Sequence, residues 1–513
     1  MNKKGAANTA AVIEIGTNNI SMRVAQLSKG DIRTLDYLKY PVSLDHDVFE
    51  TGAISFNSLR QLSSALDKFS EALLSYGVEK PRVVSGTALL EARNRSLVVD
   101  QLKVRNNLDV SVLDSSQEKA YIFSELKKCL AGEAAVKSGC TLAAYIGAGS
   151  VGLAVLDNEK IVYFQNIPIG ALKLHDVMGE LRRNAEDFHY ILEEYMDTML
   201  NRMNLSGFPI RSLVLTGTQI NLIARLCGGK QAGPVFHIDV QRLQGLYDSV
   251  RAMTSEGIAL RYGITESQAA LLYTALFIYR GMIRFCPDTR EILSPPIDLT
   301  QAVIRYMLMP KADSEWAAFL RENALACAAT TAEAFKCDRD HSRLIGSYAG
   351  RLFDKLKKVH GLDPSKRLIL ELAATLHSCG SYVSARQHSR CTFDIIRGMD
   401  IFGLSSKEVL EVALVAGSIS TNLNDPEFAA LSSREQIVVS KLSAIFQLAN
   451  AMDKSHLEKL KNVKMSLEDD RVVIKAQSSS NTLLERWDFE FAARFFKDVF
   501  GLSPELSVKF DMI

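Results

Sequence analysis

Two α/β lobes of like plan, then a helical region and a small mixed tail, are what this 513-residue sequence predicts. Three observations lead there. A glycine-tipped pair of apolar strands opens both "AAVIEIGTNNISMRVAQL" and "CTLAAYIGAGSVGLAVLDNEK". Strand–helix units follow each pair, which suggests a duplicated domain with a cleft between its halves. From about Leu299, apolar residues recur at helical spacing instead. The chain is also too long for one hydrophobic core.

In the first lobe, Ala11 to Ile15 reads as a strand and Gly16-Thr17-Asn18-Asn19 as a polar turn. Ile20 to Leu27 is the returning strand. Leu59, Leu62, Leu66, Phe69 and Leu73 lie three and four apart and predict a helix. "PRVVSGT" is a short strand entering a turn, and "ALLEARNRSLVVDQLK" continues as a helix. "LDVSVLDSS" is a strand, and "QEKAYIFSELKKCL" a helix that Ser115 or Ser116 could cap. The second lobe repeats strand, glycine turn and strand, with a third strand in "KIVYFQNIPIG". "RSLVLTGTQINLIARL" ends its strand at Thr216-Gly217-Thr218 and feeds a helix. Further on, Ile345, Ala349, Leu352, Phe353 and Leu356 mark one helix face. "VKMSLEDDRVVIKAQ" is a hairpin turning at Asp469-Asp470, and "ERWDFEFAARFFKDVFG" is an amphipathic helix. The expected divisions are 1–130, 131–298, 299–455 and 456–513.

Charge narrows the partners. With 60 Lys+Arg against 59 Asp+Glu, net charge gives no reason to expect nucleic acid or membrane. Lys127-Lys128, Arg93 with Arg95, and Arg182-Arg183 lack interleaved aromatics and read as solvated faces. "MNKKGAANTA" lacks the apolar core of a signal peptide, and runs such as "AALLYTALFIY" are too short to span a bilayer. The eight cysteines contain no C-x-x-C pair, so zinc ribbons and redox dithiols are not expected. A reduced, cytoplasmic setting follows as the expectation.

The chemistry-bearing features are the three glycine turns, at Gly16-Thr17-Asn18, Gly147-Ala148-Gly149-Ser150 and Thr216-Gly217-Thr218. Glycine lets backbone amides face an anion, and the hydroxyls add donors. A hairpin's own need for glycine explains any one of them. Three in this order also point to a phosphate-binding cleft. His341 and His377 each sit in an otherwise apolar helix. His377 is followed by Ser378 where a metal-dependent phosphohydrolase would carry an aspartate, so a packing role is the plainer reading.

With these pieces in order, the chain resembles the exopolyphosphatase/guanosine pentaphosphate phosphohydrolase (Ppx/GppA) family. "VIEIGTNNISMRVA" is similar to the family's D-[IL]-G-[ST]-N-S opening, and "SGTALLEARN" to its A-T-S-A-L-R-E-A-R-N segment. "SSQEKAYI" resembles S-G-x-E-E-A-R-L-I, and "AYIGAGSVGLAV" resembles D-I-G-G-G-S-T-E-L. "IPIGALKL" and "LTGT" are similar to its later glycine segments. The resemblance implies an actin-like (ribonuclease H-like) duplicated core, an HD-like helical domain and a homodimer. It implies polyphosphate or a guanosine polyphosphate between the lobes, with Mg²⁺ if the protein is active.

The match departs from the family where catalysis would sit. The water-activating glutamate falls on Lys119, and Glu118 beside it is rotated by about 100° on a helix, so it should face elsewhere. The family's acids fall on Tyr145 and Gly152, and its first-turn aspartate on Glu14. Its phosphate arginine falls on Leu90, with Arg93 three residues on as a partial substitute. The phosphate-binding set implied is therefore Gly16, Thr17, Asn18, Arg93, Gly147, Gly149, Ser150, Gly217 and Thr218. No metal ligands are assigned. The reading is a phosphate binder whose phosphoanhydride hydrolysis is lost or strongly reduced. The alternatives are an active phosphohydrolase using relocated acids (Glu14, Glu118 or Glu91) and a scaffold acting through dimer contacts of the helical region.

Overall fold

The computed structural model describes residues 9–137, 139–175, 188–203, 205–309, 311–418 and 425–510. The Arg182-Arg183 pair and the first eight residues lie outside them. The chain forms two compact units, Met1–Leu320 and Arg321–Ile513.

The first unit holds two sheets. One has the order β3-β2-β1-β4-β5, built from Thr9–Ile15 (β1), Asn19–Ser28 (β2), Asp31–Pro41 (β3), Arg82–Ser85 (β4) and Val110–Val112 (β5). The second contains Cys140–Ile146 (β6), Val151–Asp157 (β7), Lys160–Ile167 (β8) and Ile210–Gly217 (β9). It is completed by Lys230–Ala232 (β10), Val235–Asp239 (β11) and Glu291–Ser294 (β12), in the order β10-β11-β12-β9-β6-β7-β8. Remove the β10–β11 hairpin at its edge, and both sheets share one plan: an antiparallel three-strand meander joined through its first strand to two further strands. The duplication expected from the glycine turns is thus visible in strand order. This is the actin-like core.

Each lobe has its own apolar core. In lobe I, the helix Phe56–Ser75 buries Leu59, Leu62, Leu66, Phe69 and Leu73 on one side, the stripe its spacing predicts. Its first turn is capped by Ser55, whose hydroxyl accepts from the Ser58 amide. In lobe II, the helix Glu266–Ile283 is apolar nearly all round and accordingly buried on most faces, from Leu272 to Met282.

Four local expectations change. The segment "ALLEARNRSLVVDQLK" is not one helix: a single turn, Thr87–Leu90, stops, and a new helix runs Arg95–Asn106. Tertiary bonds hold the break. Asn94 Oδ1 accepts from Ile54 N at 3.0 Å and Asn94 Nδ2 donates to Ile54 O at 2.8 Å. The helix Ser115–Leu130 is capped by Asp114 rather than by a serine, with Gln117 Oε1 returning to the Asp114 amide at 3.2 Å. The unit boundary falls inside the helix Ala312–Ala334, not at 299. The preceding helix, Leu299–Leu308, packs on β1, β2 and Ser115–Leu130, and Arg305 forks onto the Glu125 carboxylate at 2.6 and 3.0 Å. Finally, residues 456–513 do not stand apart from the helices before them.

In the second unit, one core joins Ile345, Leu352, Leu372 and Phe446 of the helices to Ile474, Phe489 and Phe496 of the tail. The tail's sheet has the order β13-β14-β15, from Lys461–Glu468 (β13), Arg471–Ser478 (β14) and Ser503–Phe510 (β15). The first two make the hairpin expected at Asp469-Asp470. The helix Leu483–Phe500 then carries the chain over to β15, which runs parallel to β14. Among the described residues, no helix is long and apolar enough to cross a membrane.

Candidate functional site: the interlobe cleft

The two glycine hairpins are built alike. In lobe I the Gly16 amide donates to Asn19 O at 3.0 Å, and in lobe II the Gly147 amide donates to Ser150 O at 3.0 Å. The carbonyls beyond each glycine are taken by the chain that follows. Leu44 N and Val42 N donate to Thr17 O and Asn18 O, while Ala171 N and Leu172 N donate to Gly147 O and Ala148 O. Capping carbonyls in this way leaves amides as the groups a turn offers to the cleft, which suits an anion.

Between the hairpins lies a cleft of about 420 Å³. Gly16, Thr17, Asn18, Gly147, Gly217 and Thr218 line it, as does Glu14. Glu118 lines it too, contrary to its expected orientation, because it is Lys119 that turns into the interior. The buried Asn18 Oδ1 has no protein partner. Three other residues of the expected set are turned to different work. Arg93 donates to Thr51 O at 2.7 Å and packs over Gly52, outside the cleft lining. Gly149 abuts Thr87, where an added Cβ would stand 2.3 Å from Thr87 Cγ2, so this glycine lets the lobes meet. Ser150 Oγ accepts from Lys119 Nζ at 3.0 Å. Thr218 lines the cleft, but its amide is spent on Ile146 O at 3.1 Å. Glu91 also leaves the site, pairing with Lys173 across the lobes at 3.5 Å.

Lys119 is the decisive residue. Its side chain is 1% exposed, and its ammonium is 3.0 Å from both Glu118 Oε1 and Ser150 Oγ. It also lies 5.4 Å from the centre of the Tyr145 ring. It sits beneath the cleft rather than in its lining, so it holds Glu118, not a ligand. The register explains how there is room. Tyr145 on β6 stands directly opposite Gly152 on β7. A Cβ at Gly152 would be 2.4 Å from Lys119 Cγ, so the lysine stem fills the space a side chain at 152 would need. The three positions where the resemblance implies acids are thus occupied by one interlocked unit of Lys119, Tyr145 and Gly152.

The corresponding place in lobe I keeps its acid. Glu14 faces Ser21 across β1 and β2, as Tyr145 faces Gly152, and accepts from Ser21 Oγ at 3.3 Å. Burial lifts the Glu14 carboxyl to about 7, and the neighbouring Asp298 and Glu118 carboxylates add to the rise. The Tyr145 phenol is held well above its ordinary value by burial, then by Glu118, Glu14 and Asp298.

Asp298 and Lys39 line the cleft and escaped the sequence reading. Asp298 is legible only as a helix cap, Asp before "LTQ". Its Oδ1 accepts from Gln301 N at 2.8 Å and its Oδ2 pairs with Arg23 at 2.5 Å. Replacing Asp298 by Asn retains an oxygen for the cap and removes one charge facing Glu14. The Glu14 pKa should fall in that variant, read by carboxyl NMR titration; an unchanged value would show that burial alone sets it.

Two glycine hairpins facing each other across a duplicated sheet plan define a two-lobed protein of the actin-like class. The comparisons assign the family. A Ppx/GppA phosphatase family model matches residues 23–295 and a Ppx/GppA phosphatase domain III model matches 325–495. The chain therefore belongs to the Ppx/GppA phosphatase family. Among solved structures, an exopolyphosphatase from Cytophaga hutchinsonii is 21% identical, with a TM-score of 0.52 over 58% of this chain and 97% of that one. The Aquifex aeolicus Ppx/GppA family member is 18% identical, with a TM-score of 0.49 over 58% and 96%. A Bacteroides thetaiotaomicron protein with an actin-like ATPase fold is 10% identical, with a TM-score of 0.26 over 53% and 98%.

In the second unit a carboxylate pairs with His341 rather than with His377. His341 Nδ1 lies 2.8 Å from Asp453 Oδ2, and the His341 ring stacks on His456 at 3.6 Å. His377 instead binds Ala374 O through Nδ1 at 2.9 Å, and burial pushes its imidazole down to about 4, so it is neutral at physiological pH. Among the described residues, no group of three or more His, Cys, Asp or Glu is arranged to hold a metal.

Proposed function

We propose that this chain binds a phosphorylated ligand, polyphosphate or a guanosine polyphosphate, in the interlobe cleft without hydrolysing it. One observation carries the reading: a buried lysine, locked by Glu118, Ser150 and Gly152, stands where the family resemblance puts the water-activating glutamate. Loss of a general base costs about 10²- to 10⁴-fold. Mg²⁺ is usually held by one or two carboxylates together with substrate phosphates, and among the described residues of the cleft lining Glu14 is the acid left outside an ion pair. Lys119 and Tyr145 offer no carboxylate, and Glu118 and Asp298 are already paired with cations. The ligand is held instead by turn amides, the Thr17 hydroxyl and Lys39. A homodimer is part of this reading, tested by sedimentation equilibrium.

Binding should strengthen as pH falls from 8 to 6. A protonated Glu14 can donate to a phosphate oxygen, whereas the carboxylate repels it, and the change is centred near 7. Isothermal titration with tripolyphosphate and with pppGpp at both pH values checks this. Absence of binding at either pH would sink the proposal.

A second reading has one observation in its favour. A carboxyl that titrates near 7 in a cleft is suited to general-base chemistry, and Glu14 is such a group. In that case Glu14 would take the proton of an attacking water, and phosphate release would disappear in Glu14→Gln.

A further inference from the structure

Two thiols in the second unit meet in a contact that the phosphate cleft does not use. Cys337 follows the helix Ala312–Ala334, and Cys379 opens the turn Cys379–Tyr382. Their Sγ atoms are 3.4 Å apart, and both are free thiols. The two differ in access: Cys379 is fully buried, whereas Cys337 is partly open to solvent. The contact with the Cys379 thiol brings Cys337 down to about 7 against the effect of burial, while Cys379 is held above its ordinary value. That division suits a reachable thiolate with a resolving thiol behind it.

The backbone around both sulfurs is tied down. The Gly380 amide donates to Thr392 Oγ1 at 3.0 Å, and a Cβ at 380 would come within 2.1 Å of His388 O, so the turn sits hard against its neighbour. On the other side, the Cys337 amide donates to Ala332 O at 2.9 Å. The pair is thus presented at short range by two fixed segments, and closure asks only that the sulfurs approach to about 2.05 Å.

We infer that Cys337 and Cys379 are a redox modification site that closes to an intrachain disulfide on exposure to a peroxide. The Cys337 thiolate attacks a peroxide oxygen: an S–O bond forms, the O–O bond breaks, and hydroxide leaves and is protonated to water. The Cys379 sulfur then attacks the Cys337 sulfur. The S–S bond forms, the S–O bond breaks, and the hydroxyl leaves as water with the Cys379 proton. Two thiols lose two electrons in all, and one hydrogen peroxide becomes two waters.

The test uses the full-length reduced chain, treated with a few equivalents of hydrogen peroxide, denatured in alkylating agent and digested. Free thiols should fall by two, from eight to six, with a peptide joining Cys337 to Cys379 that dithiothreitol releases. Cys391→Ser should leave that cross-link intact, and Cys337→Ser, at a partly exposed position, should abolish it. Retention of every thiol, a cross-link to another cysteine, or oxidation of Cys337 that stops at the sulfinic acid would overturn the inference.

Discussion

Lys119→Ala should destabilise the first unit by about 3–5 kcal/mol, because it leaves the Glu118 carboxylate without its partner at a nearly buried site. Gly152→Ala should cost about 1–3 kcal/mol in the native background, since the new Cβ meets a lysine stem that cannot swing into water. Placed in the Lys119→Ala background, the same change should cost close to nothing. The stem it collides with is gone. Denaturation followed by Trp316 fluorescence checks the cycle in a Trp487→Phe background, where Trp316 is the sole tryptophan. Trp316 stacks on Tyr121 at 4.3 Å, on the helix that carries Lys119. Additive costs would mean that Gly152 and Lys119 are independent and that the interlocked unit is a misreading.

The second large effect belongs to Glu14. Its carboxyl is raised from 4.5 to about 7 in the folded protein, so folding binds its proton more tightly. Stability from this group is therefore fully present below pH 4.5 and is lost as pH rises through 7. A shift of this size corresponds to about 2–3 kcal/mol, allowing for water that reaches the cleft. Glu14→Gln should recover that amount at pH 8 and gain nothing near pH 4. Denaturation midpoints across this range decide it; an equal effect at both ends would mean that the carboxyl does not titrate as described.

Much of the fold could be read from the sequence, because local chemistry and tertiary structure agreed there. The β1–β2 and β6–β7 hairpins follow from apolar alternation around a glycine, and Phe56–Ser75 from its apolar spacing. The reading failed where a distant partner decided. The helix break at Arg93 and Asn94 exists because both residues bind the segment around Gly52 and Ile54, which no local periodicity reports. The strand β3 is largely solvent-facing, so it carries little apolar signal. Leu299–Leu308 looked like the start of a helical domain because its helical character is real. Its allegiance to lobe I rests on Arg23, Glu125 and the strands beneath it.

The site divided in the same way. Glycine turns announce themselves, and the departures at Lys119, Tyr145 and Gly152 could be seen one at a time. That they compensate one another could not, because only the sheet register sets Tyr145 opposite Gly152 and lays the Lys119 stem across it. Conversely, Gly149 and Ser150 have the right chemistry for phosphate, yet one is packed on Thr87 and the other bound to Lys119. Asp298 reached the cleft from a cap position that gave no hint of it.

The central claim is binding without cutting, and ³¹P NMR reads both halves in one sample. Tripolyphosphate or pppGpp would be mixed with equimolar protein and Mg²⁺ at pH 6.5 and followed for hours. The account predicts shifted or broadened ligand resonances whose total intensity holds, with no orthophosphate peak above a protein-free control. A growing orthophosphate peak that vanishes in Glu14→Gln would contradict it and give the cleft back its chemistry.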